Sequence, residues 1–251
     1  MITKHNKMKT FYFLVSIFIN LIFVSCNKDS YIQGYGYTDT TSNIVTTGTN
    51  PGVQALRDID GNTYKTVKIG NQEWMAENLK VTKYRNGDAI PNVTNMSQWW
   101  NLHTGAYCCY NNNNLSDYGK LYNWYAATDT RGIAPIGWHV PSDAEWSVLE
   151  SYLGGSGVAG GVMKEIGTAH WLTPNAGATN SSGFTALPGG ENSGLVSGYT
   201  GINQQGFWWS SSLYSSGAAA LYVQVFYSNG QCYFHSSQYQ NYGMSIRCVK
   251  D

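Results

Sequence analysis

Tight-turn dipeptides set the scale of any structure this chain can form. Asp60-Gly61, Gly70-Asn71 and Asn86-Gly87, with Ser228-Asn229-Gly230 further on, separate short runs in which apolar and polar residues alternate. Such punctuation predicts antiparallel hairpins and meanders. ALRDIDGNTYKTVKIGNQEWMAENL reads as a meander of short strands. GFWWSSS, ALYVQVFY and QCYFHSS read as three more, and ALYVQVFY, apolar on both faces, reads as an interior strand. YGKLYNWYAA begins as a strand and ends as a helix.

Two stretches carry helical signals. In GWHVPSDAEW, Ser142 and Glu145 have the S-x-x-E spacing of a capping box, and Asp143 and Glu145 place negative charge in the first turn. Trp146, Leu149, Tyr152 and Leu153 then recur at helical spacing until Gly154-Gly155 ends the helix. Both acids therefore have structural work, and His139, just upstream without a partner cluster, reads as a hydrogen-bonded structural group. A second short helix is expected over GGVMKEIG. Residues 168–205 are rich in Gly, Asn, Ser and Thr, and a structureless stretch of that length inside a domain is usually functional.

The N-terminal end reads as an export signal. Lys4, Lys7 and Lys9 precede an apolar run from Phe11 to Val24, which is short of the ~20 residues that span a bilayer. The run ends in FVSC, where Ser25 before Cys26 resembles a bacterial lipobox, with Phe23 where an aliphatic residue is usual. Residues 1–26 are thus expected to be a lipoprotein signal peptide that leaves a lipidated Cys26. Residues 27–54, polar and without an apolar period, read as a flexible tether, and residues 55–251 as one domain. This predicts an outer membrane lipoprotein on the cell surface or the periplasmic face.

Fifteen Lys and Arg balance fifteen Asp and Glu, so the chain has no basic field for nucleic-acid phosphates, and nucleic acid is not expected as a partner. Beyond Cys26, the even set Cys108, Cys109, Cys232 and Cys248 in an exported chain predicts two disulfides, with three connectivities open. Cys108 and Cys109, adjacent in a strand, face opposite sides and belong to separate bridges. No spacing suggests zinc.

Six motifs in order, DIDGNTYKTVKIGNQEWMAENL, YGKLYNWYAA, GWHVPSDAEW, GFTALPGG, FWWSSS and SIRCVKD, closely resemble the Fibrobacter succinogenes major paralogous domain family over roughly residues 56–251. The family comprises exported, often lipid-anchored bacterial proteins. PSDAEW with the terminal SIRCV further resembles the frame of the formylglycine-generating-enzyme superfamily. That resemblance implies an α+β, C-type-lectin-like fold: a twisted antiparallel sheet, a few helices and long loops. The family's own cysteines fall on Cys108 and Cys248, which implies the pairs Cys108–Cys248 and Cys109–Cys232.

The implied function is non-catalytic binding or adhesion toward a glycan or surface protein, with the membrane reached through the lipid anchor. Sugars are held by aromatic faces and by amide and hydroxyl hydrogen bonds. The candidate contacts are Trp99, Trp100, Asn112 within the run Asn111 to Asn114, His170, Trp171, Asn175, Asn180, Glu191, Asn192 and Asn203. Large aromatics are mostly core residues, and in Trp208-Trp209 at most one ring is expected to be available. No cofactor is expected. The Glu-Pro-Asn or Gln-Pro-Asp triplet of calcium-dependent lectins is absent, although Glu191, Asn192 and nearby carbonyls could form an oxygen site for calcium. The alternatives are an oxidase like the formylglycine-generating enzymes, which would need a reactive cysteine pair, and a structural component of a surface assembly.

Overall fold

The computed structural model describes residues 55–194, 198–215 and 217–251. The expected signal peptide, Cys26 and the tether lie outside the described residues. Strands β1 (Leu56–Arg57) and β2 (Thr63–Tyr64) form the first hairpin. Asp58 closes it: Oδ1 accepts from the Asp60 and Asn62 amides at 3.0 and 2.9 Å, and Oδ2 accepts from the Tyr64 hydroxyl at 2.6 Å. Gly61 takes the left-handed φ of 84° that the turn requires. Strands β3 (Thr66–Ile69) and β4 (Gln72–Met75) pair across the Gly70-Asn71 turn, completing the predicted meander.

The middle of the chain holds the helices. Helix α1 (Met96–Trp100) is capped by Asn95, and β5 (Tyr107–Cys108) pairs with β6 (Leu121–Tyr122). Helix α2 (Trp124–Ala127) follows β6 directly, as the strand-then-helix reading of YGKLYNWYAA required. Strand β7 (Trp138–His139) leads into α3 (Asp143–Tyr152). The capping box is present in full: Ser142 Oγ accepts from the Glu145 amide, and Glu145 Oε2 accepts from the Ser142 amide at 2.8 Å.

Helix α4 (Ser156–Met163) starts and ends four residues earlier than the sequence suggests, because Lys164 and Glu165 leave the helix. It packs backbone to backbone: a Cβ on Gly160 would meet the Gln231 carbonyl at 2.0 Å, and one on Gly161 the Gly177 carbonyl at 2.2 Å. Lys164 is fully buried, and its ammonium donates to the carbonyls of Ala176, Phe226 and Asn229 at 2.9, 2.8 and 2.8 Å.

Residues 168–205 are not the structureless loop expected. Backbone bonds from Thr179 to Gly161, Ser182 to Val162 and Ala186 to Met163 lay the segment along α4. It also supplies the hairpin β8 (Gly189–Asn192) and β9 (Tyr199–Ile202). Strands β10 (Gln205–Leu213), β11 (Ala219–Phe226) and β12 (Cys232–Tyr239) form an antiparallel sheet in that order, so ALYVQVFY is its central strand. Strand β13 (Val249–Lys250) lies between β4 and β7, giving a four-stranded sheet in the order β3-β4-β13-β7. The fold is α+β, with open antiparallel sheets and few helices.

The core goes further than one expectation and overturns another. Trp208 and Trp209 are both fully buried, because both faces of β10 are covered; their indole N–H groups donate to Asn78 Oδ1 and the Tyr122 carbonyl. The four described cysteines are free thiols, so neither Cys108–Cys248 nor Cys109–Cys232 forms. Cys108, Cys232 and Cys248 sit in three separate packing clusters, which keeps them apart, while Cys109 faces outward beside Lys120.

Candidate functional site

The sequence candidates divide into three groups and one isolated turn. Around Tyr118, the hydroxyl donates to Asn203 Oδ1 at 2.8 Å and the ring meets His170 edge-on at 5.5 Å. His170 Nδ1 lies 2.8 Å from Glu165 Oε2, and Nε2 lies 3.6 Å from Asp117 Oδ2. Trp171 and Asn175 are close by but are not ligand contacts. Trp171 is buried with its N–H on the Ala186 carbonyl, and the Asn175 amide N–H groups hold the carbonyls of Glu165 and Gly167.

In the second group, Asn112 Oδ1 accepts from the Tyr199 hydroxyl at 3.0 Å, and Tyr199 packs against Tyr110 at 5.2 Å. Asn112 itself has a left-handed φ of 57°, a conformation asparagine tolerates better than most residues. Asn180 stands apart: its side chain closes a turn by bonding the amide and hydroxyl of Thr185.

The third group surrounds β8. Trp99 is fully buried, its N–H on the Asn241 carbonyl, and Asn192 is fully buried against Cys108 Sγ and the Gly194 amide. Neither is available to a ligand. Neighbouring residues of a strand point to opposite faces, so Glu191 and Asn192 do not converge on a shared calcium site. Among the described residues, no group of three or more His, Cys, Asp or Glu side chains is placed to hold a metal.

Glu191 differs from the other candidates. It is half-buried, accepts no hydrogen bond from a described residue, and burial lifts its carboxyl to about 7. Burial first, then the nearby Glu191 charge, holds the Tyr222 and Tyr242 phenols above their ordinary value. Trp100, half-buried, meets Tyr242 and Tyr239 edge-on, each at 6.1 Å, and Tyr239 is 59% exposed. The indole also rests against Gly194, where an added Cβ would meet Trp100 at 2.9 Å, so the β8–β9 hairpin and α1 approach each other at this point. Tyr222 continues the aromatic lining toward Phe207 at 6.1 Å, and the amides of Gln224 and Gln205 bond at 3.2 Å beyond it.

The second face of β11 explains how this patch arises. Leu221, Val223 and Val225 turn inward, whereas Tyr222, Gln224 and Phe226 remain half-buried. The sequence reading took both faces as apolar and closed. The signal missed was the polar end on every second residue, Tyr222 and Gln224. Tyr239 and Tyr242 carried no separate sequence signal.

Among the described cysteines, Cys108, Cys232 and Cys248 are buried in three separate packing clusters and Cys109 is half-buried. Burial pushes the Cys108 thiol up to about 12 and also raises Cys232 and Cys248. A buried, neutral thiol is a poor nucleophile.

Fold and site together define an α+β domain of open antiparallel sheets with partly exposed rings at Trp100, Tyr222 and Tyr239 and a half-buried carboxyl group on β8. The family model of the Fibrobacter succinogenes major domain matches residues 67–250, and the chain belongs to that family. Comparison with curated proteins and with solved structures gave no match.

Proposed function

We propose that the domain is a non-catalytic binding or adhesion module, with a C-type-lectin-like fold, that takes a glycan or a surface protein on the face around Glu191. The observation that carries this reading is the Glu191 carboxyl, which has no donor among the described residues and lies close enough to Tyr222 and Tyr242 for its charge to act on both phenols, with Trp100 packed edge-on against Tyr242 and the exposed Tyr239. The partly exposed rings of Trp100, Tyr222 and Tyr239 supply flat apolar surface at low entropic cost, and the tyrosine hydroxyls supply directional bonds. Buried carboxyl groups normally find donors within the protein, so a half-buried one without a donor among the described residues is suited to a ligand's donors. In this reading Cys26 carries the lipid that holds the module at the outer membrane, and residues 27–54 tether it there.

The test is a glycan array and a surface-protein pull-down with the full-length lipoprotein, alongside Trp100→Ala and Tyr239→Ala. Binding that both substitutions weaken supports the reading. Binding unaffected by either places the site elsewhere, and absence of any glycan or protein ligand overturns it. Protease accessibility on intact cells separates surface from periplasmic display.

A further inference from the structure

The first hairpin, Arg85 and the segment leading into β7 line a cavity of about 210 Å³. Ile59, Ile133 and Ile136 give it apolar walls, and Arg57 and Arg85 line it with guanidinium groups. Arg85 is held in place, its Nε donating to the Ala134 carbonyl at 2.7 Å and its Nη2 to the Trp138 carbonyl. Neither arginine forms an ion pair among the described residues, whereas Arg131 is paired with Asp88 and Asp129. The carboxylate that lines the cavity, Asp58, is buried and already occupied. Its oxygens accept from the Asp60 and Asn62 amides, the Asn62 side chain and the Tyr64 hydroxyl. Two cations thus stand at an apolar opening with no counter-charge of their own. Of the described large apolar side chains, Ile136 is the most exposed, at 88%, and Ile59 is 47% exposed. Val148 and Tyr152 are also exposed, but they stand on α3, to which Asp143, Glu145 and Glu150 give a negative charge.

We propose that this corner of the domain docks on an anionic lipid bilayer, with Ile59 and Ile136 entering the headgroup boundary and Arg57 and Arg85 meeting lipid phosphates. Singly exposed apolar residues are ordinary on a protein surface. Apolar side chains beside unpaired cations are the composition that settles at an anionic lipid–water interface, where burial and charge attraction add. The place of chain entry favours a bilayer over a free anion. The described domain begins at Ala55, two residues before Arg57. With Cys26 lipidated, at most about 100 Å of extended chain separates this corner from the membrane. A surface held that close is met repeatedly, so even weak docking is populated. The choice of lipid as the source of the anion rests on the anchored reading of Cys26; the cavity and its charges do not.

The experiment is hydrogen exchange on the full-length lipoprotein reconstituted into phosphatidylcholine vesicles, with and without phosphatidylglycerol. Amides of residues 57–60 and 133–137 are expected to exchange roughly tenfold more slowly on the anionic vesicles, and high salt to cancel the difference. Arg57→Gln is expected to cut this protection roughly fivefold, and Ile136→Ser to cut it as well. Both side chains are exposed, and unchanged exchange in β11 confirms that each variant is folded. Equal exchange on the two vesicles overturns the proposal, as does protection that survives both substitutions. The same protection produced by soluble glycerol phosphate without vesicles makes the cavity a free-anion site and overturns the lipid assignment. Mass spectrometry of the purified protein reports separately whether Cys26 carries lipid. If it does not, the anchored reading falls, and flotation of the same protein with anionic against neutral vesicles decides the docking. A negative glycan array bears on the Glu191 face alone and leaves this outcome unchanged.

Discussion

His139 Nε2 lies 2.6 Å from Glu145 Oε1, so the residue before α3 is tied to the same carboxylate that caps the helix. Its other nitrogen lies 2.7 Å from Asp251 Oδ1, and an imidazole that donates at both nitrogens carries a positive charge. Burial disfavours that charge, but the bonds to Asp251 and Glu145 outweigh it, and the His139 pKa rises above 6.5. Glu145 is raised by burial but lowered more by Ser142 and His139, and falls below 4.5.

The sign of the pH effect follows from these directions. The His139 contribution is complete below pH 6.5 and is lost as pH rises through the raised folded value. The Glu145 contribution is complete above pH 4.5 and is lost as pH falls through its lowered value. His139→Gln should therefore lower Tm by roughly 1–4 °C near pH 5.5 and by less at pH 9, since half-exposed pairs contribute little. Thermal melts at the two pH values measure this. An equal loss at both would mean that packing, not charge, is what the imidazole provides.

Ser142→Ala removes the hydroxyl that accepts from the Glu145 amide. A loss of about 1 kcal/mol is expected, within the 0.5–2 kcal/mol range for such caps, and Ser142→Asp should recover most of it. Urea denaturation of the three proteins gives the comparison. An unchanged midpoint for the alanine variant would show that the Glu145–His139 pair alone holds this end of α3.

Lys164→Met keeps the aliphatic volume and removes the donor to three partly buried carbonyls. The expected cost is on the order of 3 kcal/mol, because three partly buried carbonyls lose their donor at once. Chemical denaturation measures it, and hydrogen exchange should show the first loss of protection around Ala176 and Asn229. A neutral result would require water to replace the ammonium.

Thiol labelling of the native protein should modify Cys109 and spare Cys108, Cys232 and Cys248, which are buried. After denaturation without reductant, all four should react. Peptide mapping distinguishes them, and any disulfide-linked peptide found without reductant would reinstate the pairing that the structure does not contain.

What could be read from the sequence was local. The Ser142–Glu145 cap, the turns at Gly61 and Gly70, and the central position of β11 depend on neighbours a few residues apart or on a strong apolar pattern. The disulfide expectation failed because an even cysteine count speaks to compartment, not to position, and these thiols fold into different clusters. Glu191 was picked out by residue type, but its neighbours Tyr222 and Tyr242 come from β11 and the segment after β12, which only the tertiary fold brings to it. Trp171, Asn175 and Asn192 looked like ligand contacts because long polar segments usually stay open. Here their side chains fasten that segment to the core.

The placement of β13 has a consequence for timing. Val249 pairs with Trp74 on one side and with His139 on the other, so the last strand made forms the middle of its sheet. Until residues 249–250 have emerged, β4 and β7 have no partner between them, and the buried rings of Trp74 and Trp138 lack part of their enclosure. Completion of this sheet is therefore deferred until synthesis has passed β1 to β12.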